Sequence, residues 1–246
     1  MQADSGAQRA LLQVADLDTQ VARLRHRRST LPENAALAEL QVKRGKLSEQ
    51  IVAAQTRRAD AEIEQERVEI DLAPARARLE RNQQKIDAGL ITAKALQPML
   101  DEVEHLRGRI STLEDTQLEI MQQIEDETAI CDKLTAERND IETQMRDLLA
   151  SRNNAAAELD ILATQLSEQR STLSGRLPAD LMAIYEKVAQ RAGGTGAAEL
   201  RARRCGGCGL ELDMSELKRQ ATAAPDDVLR CEECGRILVR TENSGL

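Results

Sequence analysis

The sequence predicts a mainly α-helical chain: a long antiparallel coiled-coil hairpin followed by a small C-terminal module of short strands. Three observations predict it. The composition has no Trp, no Phe and a single Tyr, while 31% of residues are charged. A chain rich in Ala, Leu, Glu, Gln and Arg, without aromatic side chains to fill volume, reads as long helices packed side by side. Apolar residues then recur with 3,4 spacing over roughly eleven heptads, and a seven-residue repeat sustained that far implies a left-handed coiled coil. Finally, near residue 198 the pattern changes to short alternation around four cysteines.

The first arm begins with a seam of Val14, Leu17, Val21 and Leu24. After a phase break it continues through Leu40, Leu47, Ile51, Ala54, Ala61, Val68, Leu72, Ala75, Leu79 and Ile86. Pro32 lies at the break, so a bend is expected near residues 30–36. Ser5-x-x-Gln8 reads as a capping box for the first helix.

In Asp87-Ala-Gly89-Leu-Ile-Thr92, Gly89 suits the position just past one helix and Thr92 the N-cap of the next. Folding there pairs two arms of about 80 residues into a rod on the order of 120 Å. A parallel dimer using the same seams is the alternative.

The second seam runs without a slip from Leu96 to Leu173. Val103, Ile110, Ile124, Cys131, Met145, Leu159 and Leu166 lie on one line; Met99, Leu106, Leu113, Ile120, Leu134, Ile141, Leu148 and Leu162 lie on the other. Pro74 and Pro98 each remove a helical hydrogen bond, so kinks or breaks are expected on both arms. Gln117, Glu127, Arg138 and Arg152, with Arg44, Arg58 and Gln65 on the other arm, weaken the seam but can fix its register, with a binding site in the rod as the alternative. Cys131 reads as a small buried thiol. The basic run from Arg23 to Arg28 reads as a solvated face paired with Asp147, Glu158 or Asp160, with a contact to phosphate or an acidic partner as the alternative.

After Ser174-Gly175, residues 177–191 form a short amphipathic helix with Leu181, Ile184, Tyr185 and Val188 on one face. Tyr185 is expected to anchor the C-terminal module rather than stack on bases. Gly193-Gly194-Thr195-Gly196 reads as a turn or flexible joint; it lacks the Lys-Ser/Thr of a phosphate loop.

Cys205-Gly-Gly-Cys208 and, about 22 residues later, Cys231-Glu-Glu-Cys234 carry the chemistry. A two-residue gap lets both sulfurs of a tight turn face one ion, and four thiolates are what a closed, tetrahedral, structural Zn²⁺ site needs. Gly209 and Gly235 follow the pairs and supply the positive φ that bends the chain around the metal. Four protein ligands leave no open coordination position, which argues against catalysis. The thioredoxin reading of a C-x-x-C pair wants one pair at a helix start beside a βαβ pattern, which is missing. Leu200, Leu210, Leu212, Val228, Ile237 and Val239 mark strands flanking the two knuckles of a zinc ribbon, with a turn or two of helix over 214–220.

The expected domains are a coiled-coil hairpin over 1–173, a connector with a short helix over 174–197, and a zinc ribbon over 198–246. Reduced zinc thiolates suit the cytoplasm. The start of the chain does not read as a signal peptide, and no apolar window suits a membrane span.

Net charge is −8, carried by the hairpin, while acids and bases balance from residue 174 onward. That is not the broadly basic body of a generic nucleic-acid binder. Arg201, Arg203, Arg204, Lys218, Arg219, Arg236 and Arg240 are nevertheless candidates for a local basic patch on the ribbon, opposed by Asp226, Asp227, Glu232 and Glu233.

Three groups of residues together resemble a bacterial family of four-cysteine zinc-ribbon proteins with an N-terminal coiled-coil hairpin, the FlgZ/CdsZ-like proteins. They are Cys205-Gly-Gly-Cys208-Gly-Leu, Glu216-Leu217, and Leu229-Arg-Cys231-Glu-Glu-Cys234-Gly-Arg-Ile-Leu-Val239. The tip from Gly89 to Leu96 and Leu113-Glu-Asp115 share the resemblance. It implies a non-enzymatic adaptor with Cys205, Cys208, Cys231 and Cys234 as zinc ligands, and partners that are proteins or messenger RNA. Val239 stands where relatives often carry an aromatic, which weakens a base-stacking role.

The favoured reading is therefore a zinc-binding adaptor acting through protein–protein interaction, as a monomer or homodimer. The alternative is an RNA- or DNA-binding regulator using the ribbon's basic residues. A polymerase-channel factor with an acidic tip is a third, by analogy only: the tip has Asp87, with Asp101, Glu102 and Glu104 further down the arm. His26 and His105 sit in helical segments and suggest no triad.

Overall fold

A computed structural model describes all 246 residues, Met1–Leu246. The elements in order are α1 (Ser5–Ser29), α2 (Pro32–Asp87), α3 (Ala93–Ser174), α4 (Ala179–Arg191), β1 (Ala197–Arg201), β2 (Arg204–Cys205), α5 (Met214–Thr222), β3 (Leu229–Arg230) and β4 (Ile237–Val239). They divide into two compact units, residues 36–148 and residues 1–35 with 149–246. The sequence-based domains follow motifs. The compact units follow packing, because α1 and the end of α3 are built into the core that holds the ribbon.

In the 36–148 unit, α2 and α3 meet along the expected seams within a single chain. Leu72, Ala75, Leu106 and Ile110 form one buried cluster, and Ala61, Val68 and Ile120 form another. Ion pairs between the arms fix the antiparallel register: Arg57 with Glu127, Arg76 with Glu114, Arg78 with Glu102 and Arg109 with Asp71. Cys131 is buried at 6% exposure, and the seam's Arg58 and Arg138 pair with Glu62 and Glu142 on their own helices.

The turn between the arms closes as a Schellman motif. The N–H of Gly89, at φ +67°, donates to Ile86 O, and the N–H of Leu90 donates to Lys85 O. Thr92 precedes α3, and its carbonyl accepts from Leu96.

Three sequence expectations change here. Neither proline breaks its helix: Pro74 lies inside α2 and Pro98 inside α3, both on exposed faces. On an exposed face, solvent is at hand for the carbonyl that a proline leaves without its helical donor. The seam is not covered at every position, since Leu96 near the tip and Leu162 are 40% and 48% exposed. The cap of α1 is Asp4, not Ser5. Its Oδ2 accepts from the N–H groups of Gly6 and Ala7 at 2.8 and 3.2 Å, a charge-assisted bond at the positive end of the helix.

The second unit is assembled from distant segments. α1 ends at Ser29 and α2 starts at Pro32, so the expected bend falls at Thr30-Leu31. Leu11 and Val14 of α1 pack with Leu181 and Tyr185 of α4 and with Ile237 and Val239 of β4. Fully burying each such aliphatic side chain contributes about 2 kcal/mol.

The N-terminal residues join the ribbon. Ala3 N–H donates to Asp226 O, Val228 N–H donates to Met1 O, and buried Gln8 donates from Nε2 to Ala3 O and Pro225 O. The sheet order is β2-β1-β4-β3, with β1 and β4 parallel and the other pairs antiparallel.

The Gly193–Gly196 segment is a clasped turn rather than a joint. Gly193 and Gly194 take positive φ, and Gly196 lies so close to α4 that a Cβ there would sit 2.1 Å from Tyr185 O.

Candidate metal centre

The two knuckles are built alike. In the first, Gly209 N–H donates to Cys205 O at 2.8 Å and Cys205 N–H donates to Leu210 O. In the second, Gly235 N–H donates to Cys231 O at 2.9 Å and Cys231 N–H donates to Arg236 O. Gly209 and Gly235 sit at φ +76° and +71°, as their position after each pair requires. The Gly-Gly of the first knuckle has a steric reason: a Cβ on Gly206 would lie 2.9 Å from Glu199 O. Leu212 and Leu200 are buried beside the cysteines, whereas Leu210 is 51% exposed and caps nothing.

All four Sγ atoms lie within 4.8 Å of one another. Cys205 and Cys234 are 3.7 Å apart, and Cys208 and Cys231 are 3.9 Å apart. Thiolates arranged tetrahedrally at about 2.3 Å from Zn²⁺ are about 3.8 Å from each other. The soft, all-sulfur donor set and its spacing therefore fit one structural Zn²⁺.

Burial pushes the Cys205 thiol up, and pushes Cys231 up to about 12. Burial alone would also raise Cys234, but hydrogen bonds, those from Arg236 foremost, bring it below its usual value.

A carboxylate supports the second knuckle. Glu216 in the first turn of α5 is 3% exposed, and its Oε1 accepts from Glu232 N–H at 3.2 Å. Asp213 caps the same helix, accepting from the N–H groups of Ser215 and Glu216. The capping pattern Asp213-x-x-Glu216 was the available signal for this support, and the sequence reading passed over it.

The seven basic residues of the ribbon do not gather into one free patch. Arg236 donates from Nε to Thr195 O and Oγ1 and from Nη2 to Ala192 O, which closes the C-terminal end of α4. Arg240 does the same for α5, donating to the carbonyls of Gln220, Ala223, Pro225 and Asp227. Carbonyls at helix ends lack intrahelical donors, and a guanidinium supplies them. Arg204 pairs with Glu211, and Arg219 pairs with Glu232. Arg203 uses only Nε, to Gly245 O, and Arg201 and Lys218 are exposed. In the basic run of α1, Arg28 pairs with Asp160 at 2.9 Å, while Arg23, Arg25 and Arg27 face solvent.

At the tip, Glu102 is paired with Arg78, and Asp87 and Asp101 accept from Gln83 and Gln97. No helix is long and apolar enough to cross a membrane.

Comparison with known proteins agrees with this geometry. The profile of the CT398-like coiled coil hairpin domain matches residues 14–193, and that of a C4-type zinc ribbon domain matches residues 204–238. An uncharacterized protein of Mycobacterium tuberculosis is 35% identical over 246 residues, covering 98% of each chain. A solved structure from Mycobacterium smegmatis superposes with a TM-score of 0.88 at 32% identity, covering 98% of this chain and 100% of that one. CT398 from Chlamydia trachomatis shares the fold with a TM-score of 0.72 at 16% identity, covering 96% and 98%.

Proposed function

The chain belongs to the CT398-like coiled-coil hairpin family and carries a C4-type zinc ribbon, and from that premise we propose that it is a non-enzymatic adaptor. In this reading Cys205, Cys208, Cys231 and Cys234 are the ligands of one structural Zn²⁺, and the hairpin and ribbon present surfaces to a protein partner in the cytoplasm. The observation that carries it is the closed sulfur cluster. Four Sγ atoms within 4.8 Å fill the coordination sphere, so the metal supplies folding energy and no open position for water or substrate. The hairpin adds reach, with its arms locked by ion pairs rather than arranged around a cavity.

The nucleic-acid reading has less support. Arg236 and Arg240 are spent on helix ends, Arg204 and Arg219 on carboxylates, and the single aromatic, Tyr185, is fully buried, so no base-stacking platform is exposed.

The test is zinc content and partner capture together. Purified chain should hold one zinc, lost in Cys205→Ser and Cys231→Ser, and the zinc-loaded form should retain a protein from cell extract that the variants release. A chain that retains no protein but binds labelled RNA or DNA with steeply salt-dependent affinity would replace the adaptor reading with the nucleic-acid one.

A further inference from the structure

We infer that a groove on the ribbon, between α5 and the 245–246 segment, docks a short acidic segment of a partner protein through a leucine-like side chain flanked by carboxylates. The inference rests on the adaptor reading and names the chemistry of its partner.

Three observations carry it. The groove, of about 500 Å³, is floored by Met214, Leu217, Ala221 and Leu246, and its only charged side chains are Arg203 and Lys218. Met214 is 77% exposed and Leu246 51%, so the floor of the groove is open to a partner. A small apolar floor with a few placed polar groups is the usual form of a binding groove.

The second observation is charge. On a chain of net charge −8, both cations of this groove lack a carboxylate partner, while Arg204 and Arg219 close by are paired. Acids and bases balance from residue 174 onward, so two cations without a carboxylate partner leave this groove locally positive and attractive to a segment rich in Asp and Glu.

The third is backbone strain. Ala202 and Arg203, at φ +46° and +63°, form the two-residue turn between β1 and β2, where both central positions favour glycine or asparagine. Leaving arginine in a left-handed conformation keeps its guanidinium at the mouth of the groove, where Nε is held by Gly245 O and the Nη groups have no acceptor. Outliers of this kind concentrate at ligand clamps. An apolar floor with two cations and no exposed aromatic suits a peptide better than a nucleic acid.

The test uses zinc-loaded full-length chain and a fluorescein-labelled twelve-residue peptide with two leucines between glutamates, read by anisotropy. Its lysine-for-glutamate counterpart and an RNA oligonucleotide serve as competitors. The acidic peptide should bind, weakening at least tenfold in Lys218→Glu, Met214→Glu and Arg203→Gly.

Arg203→Gly is the sharpest variant, because glycine relieves the turn. Zinc content and melting temperature should hold or rise while binding falls. Absence of binding, equal binding of the lysine peptide, or equal binding by the folded variants overturns the inference. So does displacement by RNA together with indifference to Met214→Glu, which would make the groove a phosphate patch. If the chain retains a partner from extract equally in wild type and variants, the groove assignment fails while the adaptor reading stands. If wild type retains none, the adaptor reading itself fails.

Discussion

The phenolic O–H of Tyr185 in α4 donates to Asp18 Oδ2 of α1 at 2.7 Å, across 167 residues of sequence. The other oxygen of Asp18 accepts from Arg170 of α3 at 3.1 Å, so one carboxylate gathers three helices. Tyr185 is at 0% exposure within the apolar cluster it shares with Leu11, Val14 and Ile237.

Tyr185→Phe should keep the packing and lose the bond to an ionised group, lowering stability by about 2 kcal/mol. Burial, then the Asp18 carboxylate, holds the Tyr185 phenol above its usual range. The folded state therefore keeps a proton that the unfolded state releases near pH ~10. The contribution is full below that pH and is lost as pH rises through the folded value. Because the chain has a single aromatic residue, tyrosinate absorbance reads the group directly. Its midpoint should lie above that of free tyrosine and coincide with loss of structure.

Gly196→Ala should be among the most damaging single-methyl changes in the chain. The added Cβ would meet Tyr185 O at 2.1 Å and Tyr185 C at 2.8 Å, backbone atoms that cannot rotate away. Overpacking of this kind costs about 3 kcal/mol. Thermal unfolding should show a marked loss for Gly196→Ala and little for Gly45→Ala, where nothing lies within 4 Å.

Arg57 donates to both oxygens of Glu127 at 2.7 and 2.8 Å, a two-pronged pair between the arms. The hydrogen bond from Arg57 lowers the Glu127 carboxyl below its usual value. The stability it lends is present above the unfolded carboxyl pKa and fades as pH falls through the folded one. Glu127→Arg should lower the melting temperature, and adding Arg57→Glu should recover part of the loss. A double-mutant cycle checks the coupling, and additivity would mean the pair does not set register.

Removing zinc should unfold the ribbon before the hairpin. Two of the four cysteines, Cys205 and Cys231, are part of the small core with Ala198, Leu200, Leu212 and Leu238, so that core loses its staple with the metal. With chelator, hydrogen exchange should speed up at Leu200, Cys205 and Leu238. The amides of Leu72 and Ile110, in a separate cluster, should stay protected. Uniform loss of protection would contradict this division.

How much of this was legible follows from the range of the interactions. The seams, the Gly89 turn and the two knuckles were readable because helix period, turn chemistry and ligand spacing are local. The cap at Asp4 was misplaced by one residue, since Ser5 and Asp4 are both good caps and geometry alone chooses between them. The helices run on through Pro74 and Pro98, where the sequence left kinks or breaks open, and the sequence does not show that both prolines sit on exposed faces. The ribbon's arginines were readable as charges but not as fasteners: Arg236 and Arg240 find carbonyls 13 to 44 residues away only once α4 and α5 have docked.

The sequence by itself determined the two heptad seams, the turn at Gly89 and which four sulfurs meet, because periodicity and spacing encode those outcomes within short stretches. Only the tertiary structure decided that residues 1–3 complete the ribbon, that β1 runs parallel to β4, and which cations remain free. Those outcomes depend on surfaces brought together from opposite ends of the chain, where backbone donors and acceptors pair by proximity rather than by residue type.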